Sequence, residues 1–185
     1  MRSVSNGMGF GAIFQLGYVV ADIDAALDHW VRTGVGPWYV LDPLPIEHFS
    51  YRGGPSIVPE VTIALSYSGG MQVELIHQRD DAPTMYRDFL AATGGGLQHL
   101  GYLPAGYDAS LAAAVAAGWE QAHVGHAAGT RFVYLDGGGH PGSVAELVDL
   151  DPTSRSFFGH IADEAAGWDG VSDPVRRVGQ RRRRS

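Results

Sequence analysis

Gln15-Leu16-Gly17-Tyr18 and His99-Leu100-Gly101-Tyr102 stand 84 positions apart, and each opens a strand-like segment that runs into a helix-like one. Asp24-Ala25 and Asp108-Ala109 keep the same offset, so the chain carries an internal repeat. Each copy is followed by a glutamate in an apolar run, Val73-Glu74-Leu75 in the first half and Ala145-Glu146-Leu147 in the second. Each half thus supplies one imidazole or amide and one carboxylate, and four such groups can make one metal site.

Outward from the repeat, Ile13 to Val20 reads as a buried strand, and Asp22 offers an N-cap to a helix with Ala26, Leu27, Trp30 and Val31 on one face. Gly34 ends that helix. The second copy predicts a strand over Leu97 to Leu103, a helix capped by Asp108 with Leu111, Ala114 and Val115 on one face, and a stop at Gly118. Further strands are expected at Trp38 to Leu41, Val61 to Ser66, Met71 to His77, Arg131 to Leu135 and Val144 to Asp149, with Gly69-Gly70 as a hairpin turn. Gln15 and Glu74 are 59 positions apart but His99 and Glu146 only 47, which puts an insertion of about 12 residues in the first half, within Pro43 to Pro59.

The domain plan is an N-terminal extension (1–10), a first βαβββ module (11–80), a connecting helix and Gly linker (81–96), a second βαβββ module (97–150), a C-terminal helix (151–168) and an Arg-rich flexible tail (169–185). The fold class is α+β. In the terminal helix, Asp151 is the expected cap, and Phe157, Phe158, Ile161, Ala165 and Trp168 form an apolar stripe.

All 13 basic residues are arginine, and six of them fall in the last ten positions. Residues 1–175 therefore carry 7 Arg against 20 acids, about -13 with His neutral, a body that repels nucleic acid. There is no apolar run long enough to span a membrane and no basic-then-apolar N-terminus, so a cytoplasmic location and no membrane partner are expected. Cysteine is absent, which leaves oxygen and imidazole nitrogen as the ligands available to a metal.

Strand alternation puts Gln15 with Ile13, Gly17 and Val19, and His99 with Leu97, Gly101 and Leu103. It also puts Glu74 between Gln72 and Ile76, and Glu146 between Val144 and Val148. A carboxylate in such surroundings protonates, pairs or binds a cation, and the chain has no lysine to offer. Taken alone, His99 reads as a core histidine bonded to backbone; its repeat-matched position favours the metal reading. Gln15 is the softest of the four. His77, His123, His126 and His140 are expected as exposed histidines, with a loop able to bring His123 or His126 to the pocket.

On these residues the chain resembles the vicinal oxygen chelate superfamily, the glyoxalase, bleomycin-resistance and extradiol dioxygenase fold, over roughly residues 10–160. The resemblance implies two βαβββ modules forming an incomplete barrel around one shared divalent metal (zinc, nickel, cobalt, manganese or iron) held by Gln15, Glu74, His99 and Glu146. That ligand set is most like glyoxalase I, in which a metal-side glutamate is the general base; Glu146 and Glu74 are the matching candidates. The implied chemistry is that of an isomerase, epimerase or lyase, lactoylglutathione-lyase-like in its narrowest form, acting on a small apolar or aromatic carbonyl, lactone or epoxide. A homodimer is expected. Aromatic residues Trp38, Tyr51, Tyr67, Phe132 and Tyr134 are the candidate substrate-binding residues. One alternative is a metal-free protein that sequesters a small molecule; the other is a non-haem iron dioxygenase, against which Gln15 counts, because that triad needs a histidine there.

Overall fold

In a computed structural model, which describes residues 7–179, one ten-stranded sheet curls around a cavity, with two helices on its outer face and two on its inner face. The first module comprises β1 (Ile13–Val19), α1 (Ile23–Arg32), β2 (Trp38–Leu41), β3 (Ile46–Tyr51), β4 (Val61–Ser68) and β5 (Met71–Gln78). Helix α2 (Met85–Thr93) connects it to β6 (Gly96–Tyr102), α3 (Tyr107–Ala116), β7 (Glu120–Ala127), β8 (Thr130–Asp136) and β9 (Val144–Leu150). Helix α4 (Pro152–Ala166) and β10 (Val175–Arg177) follow.

The sheet order is β10-β2-β4-β5-β1-β6-β9-β8-β7-β3. In both modules the first strand runs parallel to the last, β1 to β5 and β6 to β9, and the two first strands meet antiparallel at the centre. The repeat in the sequence is therefore a two-fold relation in space.

Three apolar clusters hold this arrangement. On the outer face, Leu27 of α1 packs over Trp38, Ala64 and Leu75, and Ala114 of α3 packs over Val133, Leu135 and Leu147. On the inner face, Met85 and Tyr86 of α2 and Ile161 of α4 join Ile63, Leu65, Ile76, Phe132 and Tyr134. Asp22 accepts the Ala25 N–H at 3.0 Å and Asp151 accepts that of Ser154 at 2.7 Å, the N-caps expected of them.

Several expectations are corrected. The second module's missing strand is β7, where the alternation of Glu120-Gln121-Ala122-His123-Val124 is obscured by small and polar residues. The insertion is itself partly a strand. β3 leaves its own module and pairs antiparallel with β7 at the far edge of the other one. Asp108 is not a cap: Gly106 takes the N-cap position, and Asp108 sits in the first turn 3.4 Å from Arg131 Nη1.

Residues 175–177 of the expected flexible tail form β10, parallel to β2, with Arg176 bonded to Tyr39 and Glu164. The backbone hydrogen bonds of an otherwise open sheet edge explain the order. Residues 180–185 of that tail, and 1–6 of the N-terminal extension, lie outside the described residues. Within the extension, Phe10 is buried against Tyr102 and Trp119.

Candidate metal centre

Across the five central strands β4, β5, β1, β6 and β9, registered residues form two rungs on the inner face. One reads Leu65, Glu74, Gly17, His99, Val144; the other, one pleat period away, reads Tyr67, Gln72, Gln15, Gly101, Glu146 and continues to Tyr134 on β8. The two-fold axis exchanges them, setting His99 against Gln15 and Gly17 against Gly101.

The glycines make the convergence possible. A Cβ on Gly17 would lie 1.8 Å from His99 Cε1 and 2.0 Å from Nε2, and one on Gly101 would lie 2.6 Å from Gln15 Oε1 and 2.8 Å from its Cβ. Each large side chain thus lies over the glycine of the opposite module.

Glu74, His99 and Glu146 are buried, and their ligand atoms fall within 4.8 Å of one another. His99 Nε2 is 3.4 Å from Glu74 Oε2 and 3.4 Å from Glu146 Oε2. On its other side, His99 Nδ1 donates to Gln98 Oε1 at 2.8 Å, which fixes the ring with Nε2 turned toward the carboxylates. Gln15 Nε2 donates to Gln72 Oε1 at 2.7 Å, and Gln72 Nε2 donates to the Tyr67 hydroxyl at 3.1 Å. That relay holds the Gln15 amide by its nitrogen and leaves its oxygen free.

Gln15 Oε1, Glu74 Oε2 and His99 Nε2 have no hydrogen-bond partner, although all three are buried. Each such atom is costly to leave bare. Burial pushes the Glu74 carboxyl up from its ordinary value, with the His99 imidazole 3.4 Å away opposing and the Glu146 charge adding. Burial depresses the His99 imidazolium, but the Glu146 and Glu74 carboxylates, each 3.4 Å from Nε2, outweigh it and raise the pKa to about 9. Both shifts report a cluster short of positive charge. Two carboxylates, an imidazole nitrogen and an amide oxygen are a donor set suited to a divalent ion.

The centre opens into a cavity of about 780 Å³, including the part open to solvent. Leu41, Leu44, Ile63, Ile76, Phe157 and Phe158 are among its apolar walls. Of the candidate substrate residues, Phe132 and Tyr134 line it. Trp38 does not: it lies fully buried on the outer face beneath α1, donating to Val35 O at 2.9 Å. Tyr51 bonds to Asp88 and packs edge-on against His123, and Tyr67 holds Gln72; neither lines the cavity.

Tyr86 of α2 is a polar lining residue that the sequence reading missed, and its hydroxyl lies 3.0 Å from that of Tyr134. His123 is fully buried, not exposed: its Nε2 accepts the Met85 N–H at 2.8 Å. His77 Nδ1 meets Val20 O at 3.2 Å, His126 pairs with Glu47, and His140 meets its neighbour's carbonyl, all away from the centre.

The sequence model of the Glyoxalase/Bleomycin resistance protein/Dioxygenase superfamily matches residues 14–134. Among solved structures, the chain is similar to methylmalonyl-CoA epimerase from Mycobacterium tuberculosis, with 19% identity, a TM-score of 0.57, and coverage of 84% of this chain and 97% of that one. A mutant of 4-hydroxymandelate synthase from Streptomyces coelicolor also aligns, at 16% identity and a TM-score of 0.47, over 77% of this chain and 42% of that one. A search of the curated proteins gives no match. With the family's sequence pattern over 121 of 185 residues and its paired modules in space, the chain belongs to the glyoxalase/bleomycin resistance/dioxygenase superfamily, the vicinal oxygen chelate fold.

Proposed function

We propose that the chain is a divalent-metal-dependent enzyme of the isomerase, epimerase or lyase kind, with Gln15, Glu74, His99 and Glu146 as the ligands. The observation that carries this reading is the gathering of buried Glu74, His99 and Glu146, whose ligand atoms lie within 4.8 Å of one another, with the Gln15 amide oxygen buried and without a hydrogen bond in the same cavity wall. When bound, the ion would act as a Lewis acid on a substrate carbonyl, making the adjacent C–H more acidic.

The chain's own part is proton transfer and exclusion of water. Glu146 or Glu74 takes the proton from the carbon next to the carbonyl, and burial raises the basicity of Glu74 for that role. Apolar walls strengthen every charge interaction inside.

The substrate best supported is a small, neutral, apolar or aromatic carbonyl compound, lactone or epoxide. Among the described residues, no arginine lines the cavity. Arg79 and Arg87 each lie 2.7 Å from an acid, Arg131 lies 2.6 Å from Asp149, and Arg52 and Arg176 pair with Glu120 and Glu164. A glutathione conjugate or a CoA ester would need free cations, so a lactoylglutathione-lyase or acyl-CoA activity is the narrower and less supported version. A cytoplasmic location and a homodimer complete the reading; no helix among the described residues is long and apolar enough to cross a membrane.

Elemental analysis of the purified protein tests it directly. About one zinc, nickel, cobalt, manganese or iron per chain is expected, falling below about a tenth in Glu74→Gln and Glu146→Gln while the far-ultraviolet circular dichroism is unchanged. No metal after soaking with each ion would replace the enzyme by a metal-free binding protein.

The Gln72 relay gives a further expectation. Gln72→Leu frees the Gln15 amide and should weaken metal affinity about 10- to 100-fold in a chelator competition. Gln72→Glu still accepts the Gln15 N–H and should keep most of it. Equal affinity in wild type and Gln72→Leu would remove the relay's role.

A further inference from the structure

Tyr86 and Tyr134 are both buried, come from different elements, and meet hydroxyl to hydroxyl at 3.0 Å in the cavity wall. Two hydroxyls carry two protons, and their mutual hydrogen bond uses one. Among the described residues, neither hydroxyl has another hydrogen-bond partner. The groups nearby do not accept the second proton. Tyr134 is directly registered with Glu146, yet no hydrogen bond joins them. His123 packs edge-on against both rings, with centroids 4.9 and 5.2 Å away, but its acceptor nitrogen is taken by the Met85 N–H.

One O–H donor is therefore left over, inside an otherwise apolar wall and on the same face as the carboxylates. Such a group is costly unless something in the cavity accepts from it. Burial, reinforced by the Glu146 charge, pushes both phenols well above their ordinary range, so they remain donors throughout the physiological range.

We infer that the Tyr86–Tyr134 hydroxyl pair is a substrate-oxygen site, donating one hydrogen bond to a second oxygen of a substrate whose first oxygen faces the Gln15, Glu74, His99 and Glu146 cluster. The ligand class is a neutral molecule with a second oxygen besides the one that faces the cluster and a hydrocarbon body that fills the apolar end. The pair stabilises negative charge that develops on the second oxygen when a carboxylate removes the proton, the role of an oxyanion donor. This inference rests on the metal reading above and adds residues to it that no ligand position includes.

The test uses zinc-loaded protein and two probes with the same eight-carbon chain, octanohydroxamate, which presents two adjacent oxygens, and octanethiol, which presents one sulfur and no oxygen. Titration calorimetry compares wild type, Tyr86→Phe, Tyr134→Phe and the double variant, with zinc stoichiometry measured for each. The double variant should bind hydroxamate about 10- to 100-fold more weakly, with thiol affinity and zinc content unchanged, and each single variant should lose part of that. Where the double variant does not fold, Tyr134→Phe carries the comparison.

Unchanged hydroxamate affinity, or equal losses for both probes, would overturn the inference while leaving the metal reading intact. Wild-type protein that holds no zinc would bring down both.

Discussion

Gly17→Ala is expected to lose about 100-fold or more in metal affinity and about 2–4 kcal/mol in stability, for the addition of one methyl group. The methyl has nowhere to go. Its position lies 1.8 Å from the nearest atom of the His99 ring, which is fully buried and fixed by Gln98 on its far side. β1 cannot retreat either, because it is paired along its length to β5 and to β6. The imidazole must leave the rung, and the two glutamates then face each other without the cation-attracting nitrogen between them.

Gly101→Ala is the milder counterpart, since Gln15 is longer and can turn, although the clash with its Cβ at 2.8 Å cannot be relieved by rotation. Gly70→Ala is the control: nothing lies within 4 Å of its added Cβ. Urea unfolding and chelator competition on the three variants check the ranking. A Gly17→Ala protein with wild-type metal affinity would show that the His99 imidazole does not need the space over Gly17 to reach the metal.

Those two glycines explain what the sequence could and could not disclose. The repeat Leu-Gly-Tyr is visible in one dimension, and alternation correctly groups Gly17 with Gln15 and Gly101 with His99. What alternation cannot say is that each glycine serves the other module, because that depends on the antiparallel register of β1 on β6. The same gap accounts for the pocket. Trp38 and Tyr39 are adjacent in one strand and face opposite sides; choosing between them needs to know which face is concave, and α1 covers the Trp38 side.

β3 illustrates the limit further, since a segment flanked by Pro and Gly reads as an insertion until β7 offers it an edge. Tyr86 was hidden differently. It lies in the helix that joins the modules, where an aromatic residue reads as ordinary packing, and only the fold brings its hydroxyl to Tyr134.

His123 should make the protein acid-labile at a pH where most carboxylates are still charged. Burial in a cage of Phe49, Tyr86 and Tyr134 is the largest cause, with repulsion from the His99 and Arg52 charges added, and together they lower its pKa to about 3. In the unfolded chain it titrates near its ordinary value of about 6.5. Below that value the unfolded state takes up a proton that the folded state refuses, so stability falls as pH falls, by about 1.4 kcal/mol per pH unit until about pH 3. Above about pH 7 the residue is neutral in both states and its titration contributes nothing.

His99 does not confuse the window: its folded pKa is raised to about 9, so it is protonated in both states once the pH is well below 6.5. Protonating His123 would also remove the acceptor for the Met85 N–H at the first turn of α2, detaching the connecting helix from the second module. Urea unfolding of the metal-free protein at pH 7, 6, 5 and 4.5, compared with His123→Gln, isolates the effect, because a glutamine oxygen can accept the same N–H and does not titrate. The wild-type stability should fall by about 2.5 kcal/mol more than the variant's between pH 7 and 4.5. Parallel curves would mean that His123 takes up its proton inside the fold, and that the aromatic cage opens to water well before the protein unfolds.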